Sequence, residues 1–276
     1  MLQRVLGVSE RFACRVVGQP RSTQRTSPPT ATPADPDAEL RARLRAIAKD
    51  NPRWGHRKAH AVLRAEGWPV NHKKIQRLWR EEGLRVPMRR RRKKTKNRHA
   101  GSAPVAAAPN DVWAIDFCFD ATTDGRAIKI TNIVDEHTRE SLNGPIDRSV
   151  DADRLVDHLD KLAAVRGFPR YLRCDNGPEL ISNALADWAK DRTEKEKTTI
   201  TFIEPGAPWQ NPWVESFNSR MRDECLEIND FGSLLEARVI IGDWQHAYNH
   251  DRPHSSLHYQ APAAYAATCT HQPQLS

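Results

Sequence analysis

No run in these 276 residues approaches the ~20 consecutive apolar positions that a membrane-spanning helix needs. The start, Met1 to Phe12, carries Arg4, Glu10 and Arg11 and has neither a long apolar centre nor a cleavage-type ending, so no signal peptide is expected. Cysteine is sparse: Cys14, Cys118, Cys174, Cys225 and Cys269 are odd in number, widely scattered, and form no C-x-x-C pair. That argues against a disulfide framework and a cysteine zinc site, and it fits a reducing cytoplasm. No heptad repeat is sustained, so no long coiled coil is expected. Negative charge is also short. Against 43 Lys and Arg stand 35 Asp and Glu, a formal net charge of +8. A surplus of that size points to a polyanionic partner, either nucleic acid or an acidic membrane surface. What is present is enough for a core, since 38% of the residues are hydrophobic.

Five stretches are expected: an N-terminal segment and linker over 1–36, a helical domain over 37–86, a basic linker over 87–109, an α/β core over 110–230, and a C-terminal helix and tail over 231–276. In the first, Val5, Leu6, Phe12, Val16 and Val17 could line a short helix. Gln19 to Pro36, rich in Ser, Thr and Pro, reads as linker. A helix begins near Asp37, with Leu40, Leu44 and Ile47 at i, i+4 and i+7, and Asn51-Pro52 ends it. A second helix fits Arg57 to Glu66 and stops at Gly67. A third fits His72 to Glu82, with Asn71 as N-cap and Gly83 as stop. Helix, four residues, helix is a helix-turn-helix pattern. Lys73, Lys74, Arg77 and Arg80 on the third helix are candidate DNA contacts. A solvated face on a small bundle is the competing reading. Trp54, Trp68 and Trp79 are expected to pack this domain. In Met88 to His99, the cations Arg89, Arg90, Arg91, Arg92, Lys93 and Lys94 head a run that cannot pack against itself but would bind phosphates by releasing counterions.

From Asp111 the texture changes. Val112 to Phe119 and Ala127 to Val134 read as strands around an Asp124-Gly125 hairpin turn. Glu140 to Ile146 could be a third strand, interrupted by Asn143-Gly144-Pro145. Helices fit Asp153 to Val165, Leu180 to Lys190, Pro212 to Leu226 (Asn211 as N-cap, Pro212 at N1) and Leu234 to Asn249. Short strands fit Tyr171 to Cys174 and Thr199 to Ile203. The order implies a mixed sheet with helices on both faces. Within it, Asp116 interrupts an apolar strand, where an uncompensated carboxylate is costly. Asp175 follows a strand, at the end where open sheets bind ligands. Glu215 falls in the first turn of its helix, on the face with Ser219 and Arg222 and opposite Val214, Phe217 and Met221. For any one acid, a surface or capping role is the simpler reading, and the flanking residues decide. His250, His254 and His258 recur at four-residue spacing, but Pro253 breaks any helix there and no zinc site is expected.

Those flanks carry a resemblance. Asp175-Asn176-Gly177-Pro178-Glu179, then Pro205-Gly206-Ala207-Pro208-Trp209-Gln210-Asn211, then Glu215-Ser216-Phe217-Asn218 resemble the "DNGPEF … PGKPxQNxxxESFNG" region of IS3-family transposases, the OrfB product. "RWGHRKAHAVLRAEGWPVNHKKIQRLWREEGL", "VWAIDF", "VDEHTRE" and "YNHDRPHSSLHYQAPAAY" match further blocks in the same order, over nearly the whole chain. Leu180, Ser219 and His258 depart from the usual residues, and none removes a carboxylate. Between Asp175 and Glu215 lie 39 residues (215 − 175 − 1), a few more than usual in the family. The surplus is expected at Arg192 to Thr199.

The resemblance implies an RNase H-like core, a mixed five-stranded sheet flanked by helices. It also implies a DDE-type enzyme that cleaves DNA and transfers strands at insertion-sequence ends through Asp116, Asp175 and Glu215. Glu179 is not one of the family's three acids. Mg²⁺ is the implied cofactor, with Mn²⁺ able to substitute, as two ions: Asp116 bridges both, while Asp175 and Glu215 each hold one. Gln210, Asn211 and Arg222 are expected beside the site, touching DNA, with Trp209 near them. Implied partners are element ends and target DNA, an OrfA protein or OrfA-OrfB fusion, and further copies of the chain on DNA; no membrane is implied, and the place is the bacterial cytoplasm at the nucleoid. Two other classes compete. One is a non-catalytic DNA-binding descendant of the fold. The other is a plain RNase H-like nuclease, which the helix-turn-helix and basic linker disfavour.

Overall fold

The computed structural model describes residues 7–25, 35–85, 105–177, 179–190, 197–204 and 210–270. The candidate contacts Arg89, Arg90, Arg91, Arg92, Lys93 and Lys94, together with Trp209 and most of the expected surplus at Arg192 to Thr199, lie outside these residues. The described residues form two compact units, one up to Leu44 and one from Arg45 onward.

In the first unit, α1 (Glu10–Val17) is capped by Ser9 and ends at Gly18 in the left-handed region. Its inward residue is Cys14; Phe12, Val16 and Val17 are exposed, contrary to the expected apolar lining. The stretch read as linker holds a short α2 (Arg21–Arg25), because its Arg and Gln are good helix formers where Pro is absent. Helix α3 (Ala38–Asp50) begins in this unit and runs into the next, with Leu40, Leu44 and Ile47 buried.

The second unit continues with α4 (His56–Ala65) and α5 (His72–Glu81). The Asn71 side chain accepts from Lys73 N at 2.9 Å, the expected cap. Ala59 and Leu63 on α4 and Ile75, Leu78 and Trp79 on α5 are buried. Lys73, Arg77 and Arg80 are exposed, and Lys74 is half-buried.

The sheet comprises β1 (Val112–Ala121), β2 (Ala127–Asp135), β3 (Ile146–Asp147), β4 (Tyr171–Cys174) and β5 (Thr199–Phe202) in the order β3-β2-β1-β4-β5. The first two make an antiparallel hairpin, while β1, β4 and β5 run parallel. The expected strand over Glu140 to Ile146 shrinks to Ile146–Asp147. Asn143 takes a φ of 53°, and a Cβ on Gly144 would lie 2.2 Å from Thr131 O. The chain therefore crosses the β2 edge irregularly, giving Thr131 N the Pro145 carbonyl and taking the Ile133 carbonyl for Leu142 N.

Helices cover both faces. On one, α6 (Ala152–Arg166) and α7 (Asn183–Lys190) pack Leu155, Leu159, Leu185 and Trp188 onto Trp113, Ile115, Ile133 and Leu172. On the other, α8 (Pro212–Glu224) and α9 (Leu234–His250) pack Val214, Phe217, Met221, Ala237 and Ile241 onto Ala114, Cys118, Ile130 and Val134. So α9, expected as a separate C-terminal piece, belongs to the core; α10 (Pro262–Thr270) follows it. Among the described residues no helix is long and apolar enough to cross a membrane.

Candidate functional site

Side chains alternate along a strand. On β1, Trp113 and Ile115 face α6 and α7, while Ala114 and Cys118 face α8 and α9. Asp116 therefore shares the second face, directed toward the helix that carries Glu215. The same parity applies to β4, where Leu172 and Cys174 take the α6 side and leave Arg173 to the other, with Asp175 following directly after the strand. The parallel register pairs Val112 with Tyr171 and Ala114 with Arg173, an offset of 59 residues. Carried two residues further, it sets Asp175 level with Asp116. The turn after β4 is fastened at two points: Asp175 Oδ1 accepts from Gly177 N at 2.9 Å, and Asn176 Nδ2 donates to Ile203 O at 2.8 Å. A Cβ on Gly177 would sit 3.0 Å from that Asp175 oxygen, so the glycine permits the close fold-back.

Helix α8 presents its residues as the pattern requires. Val214, Phe217 and Met221 are buried in the core. Glu215, Ser219 and Arg222 line a cleft of about 260 Å³ together with Asp116, Phe117, Asn218 and Glu227. Asp116 and Glu215 are thus brought into one cavity, whereas Asp175 does not line it. Among the described residues no three His, Cys, Asp or Glu side chains are gathered closely enough to enclose an ion.

One residue of the site carried no expected role. Asn218 Nδ2 donates to Asp116 Oδ2 at 2.8 Å, and its own carbonyl accepts from Asn132 Nδ2 at 2.6 Å. Asn132 is also the cross-strand partner of Asp116. This relay, with Phe117 N on Asp116 Oδ1 at 2.8 Å, fixes the carboxylate. Burial raises the Asp116 pKa and the Asp175 charge adds to that, while the Phe117 and Asn218 hydrogen bonds and Arg222 oppose it. The i, i+3 spacing of Glu215 and Asn218 was the available signal. Glu179 accepts from Lys129 Nζ at 2.5 Å, which lies 4.0 Å from the centroid of the Phe117 ring. That bond holds the Glu179 carboxyl below its ordinary range and occupies it apart from the other acids.

The other expected contacts are placed as follows. Asn211 makes no side-chain cap; it is 2% exposed and donates from Nδ2 to Ile115 O at 3.3 Å, tying the start of α8 to β1 one residue before Asp116. Gln210 Oε1 accepts from Glu204 N at 2.8 Å. Arg222 is exposed at the cleft. His250 stacks on His246, and His254 is hydrogen-bonded to Ser256, so the histidine spacing gathers no ligand set.

Known proteins resemble this chain along most of its length. The HTH-like domain family matches residues 35–92, and two families described as integrase core domain match residues 106–208 and 196–262. The insertion element IS407 uncharacterized 31.7 kDa protein of Burkholderia multivorans is 40% identical over 266 residues, covering 96% of this chain and 93% of that protein. The insertion element IS476 uncharacterized 39.2 kDa protein of Xanthomonas euvesicatoria is 43% identical over 260 residues, covering 94% and 73%. Transposase InsF for insertion sequence IS3A of Escherichia coli K12 is 25% identical over 225 residues, covering 77% and 76%. Among solved structures, a simian T-cell lymphotropic virus intasome in complex with PP2A regulatory subunit B56 gamma superposes with a TM-score of 0.51 at 12% identity, over 84% of this chain and 76% of that one. The likeness is one of fold, the RNase H-like sheet with its flanking helices. Since relatives at 40% identity run along almost its entire length, the chain belongs to the IS3-family OrfB transposases, polynucleotidyl transferases of DNA transposition.

Proposed function

We propose that Asp116, Asp175 and Glu215 are the catalytic carboxylates of this transposase, and that they cleave and join DNA at element ends with divalent cations. The observation that carries the reading is that Asp116 and Glu215, 99 positions apart in the chain (215 − 116), line one cleft. Asp175, one residue past the end of β4, supports it: the β1–β4 register carried onward would bring it level with Asp116, and its charge raises the Asp116 pKa. The donor set is all oxygen, which suits Mg²⁺ or Mn²⁺ rather than a thiophilic metal. When bound, two such ions supply an activated nucleophile and charge for the departing oxygen of an in-line displacement.

The chain's own residues do the rest. Asn218 keeps one Asp116 oxygen oriented, and the Phe117 amide orients the other. Asn211 fixes where Glu215 enters by binding the first turn of α8 to β1. Arg222 at the cleft and Gln210 before the helix touch the DNA strand, while Asn211 acts through its bond to β1. The exposed Lys73, Arg77 and Arg80 of α5, with Lys74 and the run from Arg89 to Lys94, hold DNA phosphates. An OrfA protein, or fusion to one, supplies end recognition, and several copies assemble on DNA.

The test is Mg²⁺- or Mn²⁺-dependent cleavage of a labelled element end by the wild type beside Asp116→Asn, Asp175→Asn and Glu215→Gln. Each variant should fall to background. Wild-type activity in Asp116→Asn would remove that residue from the chemistry.

A further inference from the structure

Helix α8 carries a second site on its other side. At about 100° per residue, Trp213, Ser216, Arg220 and Glu224 share a face nearly opposite Glu215, Ser219 and Arg222. That face opens on a cavity of about 370 Å³, larger than the cleft that Asp116 and Glu215 line. Its walls are unusually cationic: Arg53, Lys58, Arg139, Arg220 and Arg252 surround a single carboxylate, Glu224. They come from distant parts of the chain, namely the turn before α4, α4 itself, the segment after β2, α8, and the segment after α9.

Glu224 does not balance this charge. It accepts from Arg252 Nε and Nη2 at 2.7 Å each, and from Lys58 Nζ at 2.9 Å. Its two oxygens are thereby taken. Arg53 reaches Asp223 and Glu227 only at 3.9 and 4.0 Å, on the outer side. Arg139 lies over the Trp213 ring, 3.1 Å from its centroid; its Nη1 donates to Glu136 O, while its Nε is buried without a hydrogen-bond partner among the described residues. Burial and the Arg252 charge lower Lys58 to about 8 despite its bond to Glu224. Burial and the charges of Arg252, Arg139, Lys58 and Arg220 hold His254 near 4. The floor is firm, since Arg252 is 5% exposed and Tyr248 is 3% exposed. The mouth is open and polar, with Ser255, Ser256 and the Tyr259 ring exposed.

We propose that this cavity is an anion site that seats one phosphate of the DNA backbone, on the side of α8 away from Glu215. Guanidinium groups that converge with free donors match phosphate oxygens. Trp213 and Tyr259 at the rim offer flat faces for the sugar or base beside that phosphate. The choice of DNA over a free phosphorylated molecule rests on the transposase reading; the anion site itself stands on the cavity alone. It also gives a task to the Arg252-Pro253-His254-Ser255 stretch, which the three-acid centre leaves unused.

The full chain is titrated in EDTA, so metal chemistry plays no part and a failure of the cleavage reading would not move the result. The probes are inorganic phosphate, followed by thermal shift, and a short fluorescein-labelled duplex, followed by anisotropy at several salt concentrations. Arg220→Ala and Ser256→Glu change exposed residues at the cavity, and circular dichroism confirms their fold. The expected result is at least about tenfold weaker binding of both probes in both variants. For Arg220→Ala, the salt slope of duplex binding should drop by about one phosphate contact. Unchanged phosphate binding in both variants would overturn the anion site. Weakened phosphate binding with unchanged duplex affinity and slope would overturn the DNA assignment and leave a site for a free phosphorylated molecule.

Discussion

Asp116 owes its position to Asn218. The amide sits 6% exposed between Asn132 and the carboxylate, so truncation strands the buried Asn132 and frees one half-buried Asp116 oxygen. Asn218→Ala should cost about 1–3 kcal/mol of stability and weaken Mn²⁺ binding as well as lower the cleavage rate. A purely structural role would lower the melting temperature and leave Mn²⁺ affinity alone. Glu224 gives a second prediction at this scale. Burial raises its pKa, but the Arg252 and Lys58 bonds outweigh burial and hold it near 2. A carboxyl depressed from its ordinary 4.5 stabilises the fold fully above pH 4.5 and loses that contribution as pH falls toward 2, on the order of 3 kcal/mol in all. Glu224→Gln should melt lower at pH 7 and show a shallower fall between pH 4.5 and 2.5, read by thermal melts across that range. Asp116 could be singled out in the sequence because an acid there interrupts a continuous apolar run. The task of Asn211 could not be read there, because an amide looks the same whether it caps a helix, meets DNA or binds a carbonyl from a strand 96 residues away.

The hairpin, α3, α5 and α9 were legible because apolar spacing, Asn71 and the Asp124-Gly125 turn are local signals that the fold keeps. The Glu140 to Ile146 stretch was not. Its backbone bonds go to single β2 carbonyls and amides rather than to a ladder, because Gly144 lies almost on Thr131. Gly144→Ala places a Cβ 2.2 Å from a backbone oxygen, and neither side can yield without moving β2. The expected loss is roughly 1–3 kcal/mol, measured by denaturant unfolding. Asp116 pairs with Asn132 on the displaced strand, so cleavage should fall with stability.

At the scale of the molecule, the basic excess and the modular order of helices and sheet could be read from composition and motif order. That Asp116 and Glu215 line one cleft needed the tertiary fold, which no local pattern encodes. The helices α4 and α5 share a compact unit with the sheet, and Lys58 binds Glu224 at the end of the helix that carries Glu215. With a net charge of +8, DNA binding should weaken steeply with salt. The isolated chain should also show little preference for element ends, checked by competition with unrelated duplex at physiological salt. The most direct measurement of the central claim is Mn²⁺ binding to the full chain with element-end DNA, followed by the paramagnetic resonance signal of the free ion. The account predicts saturable binding by the wild type that is lost in Asp116→Asn, Asp175→Asn and Glu215→Gln. Wild-type affinity in all three variants would contradict it.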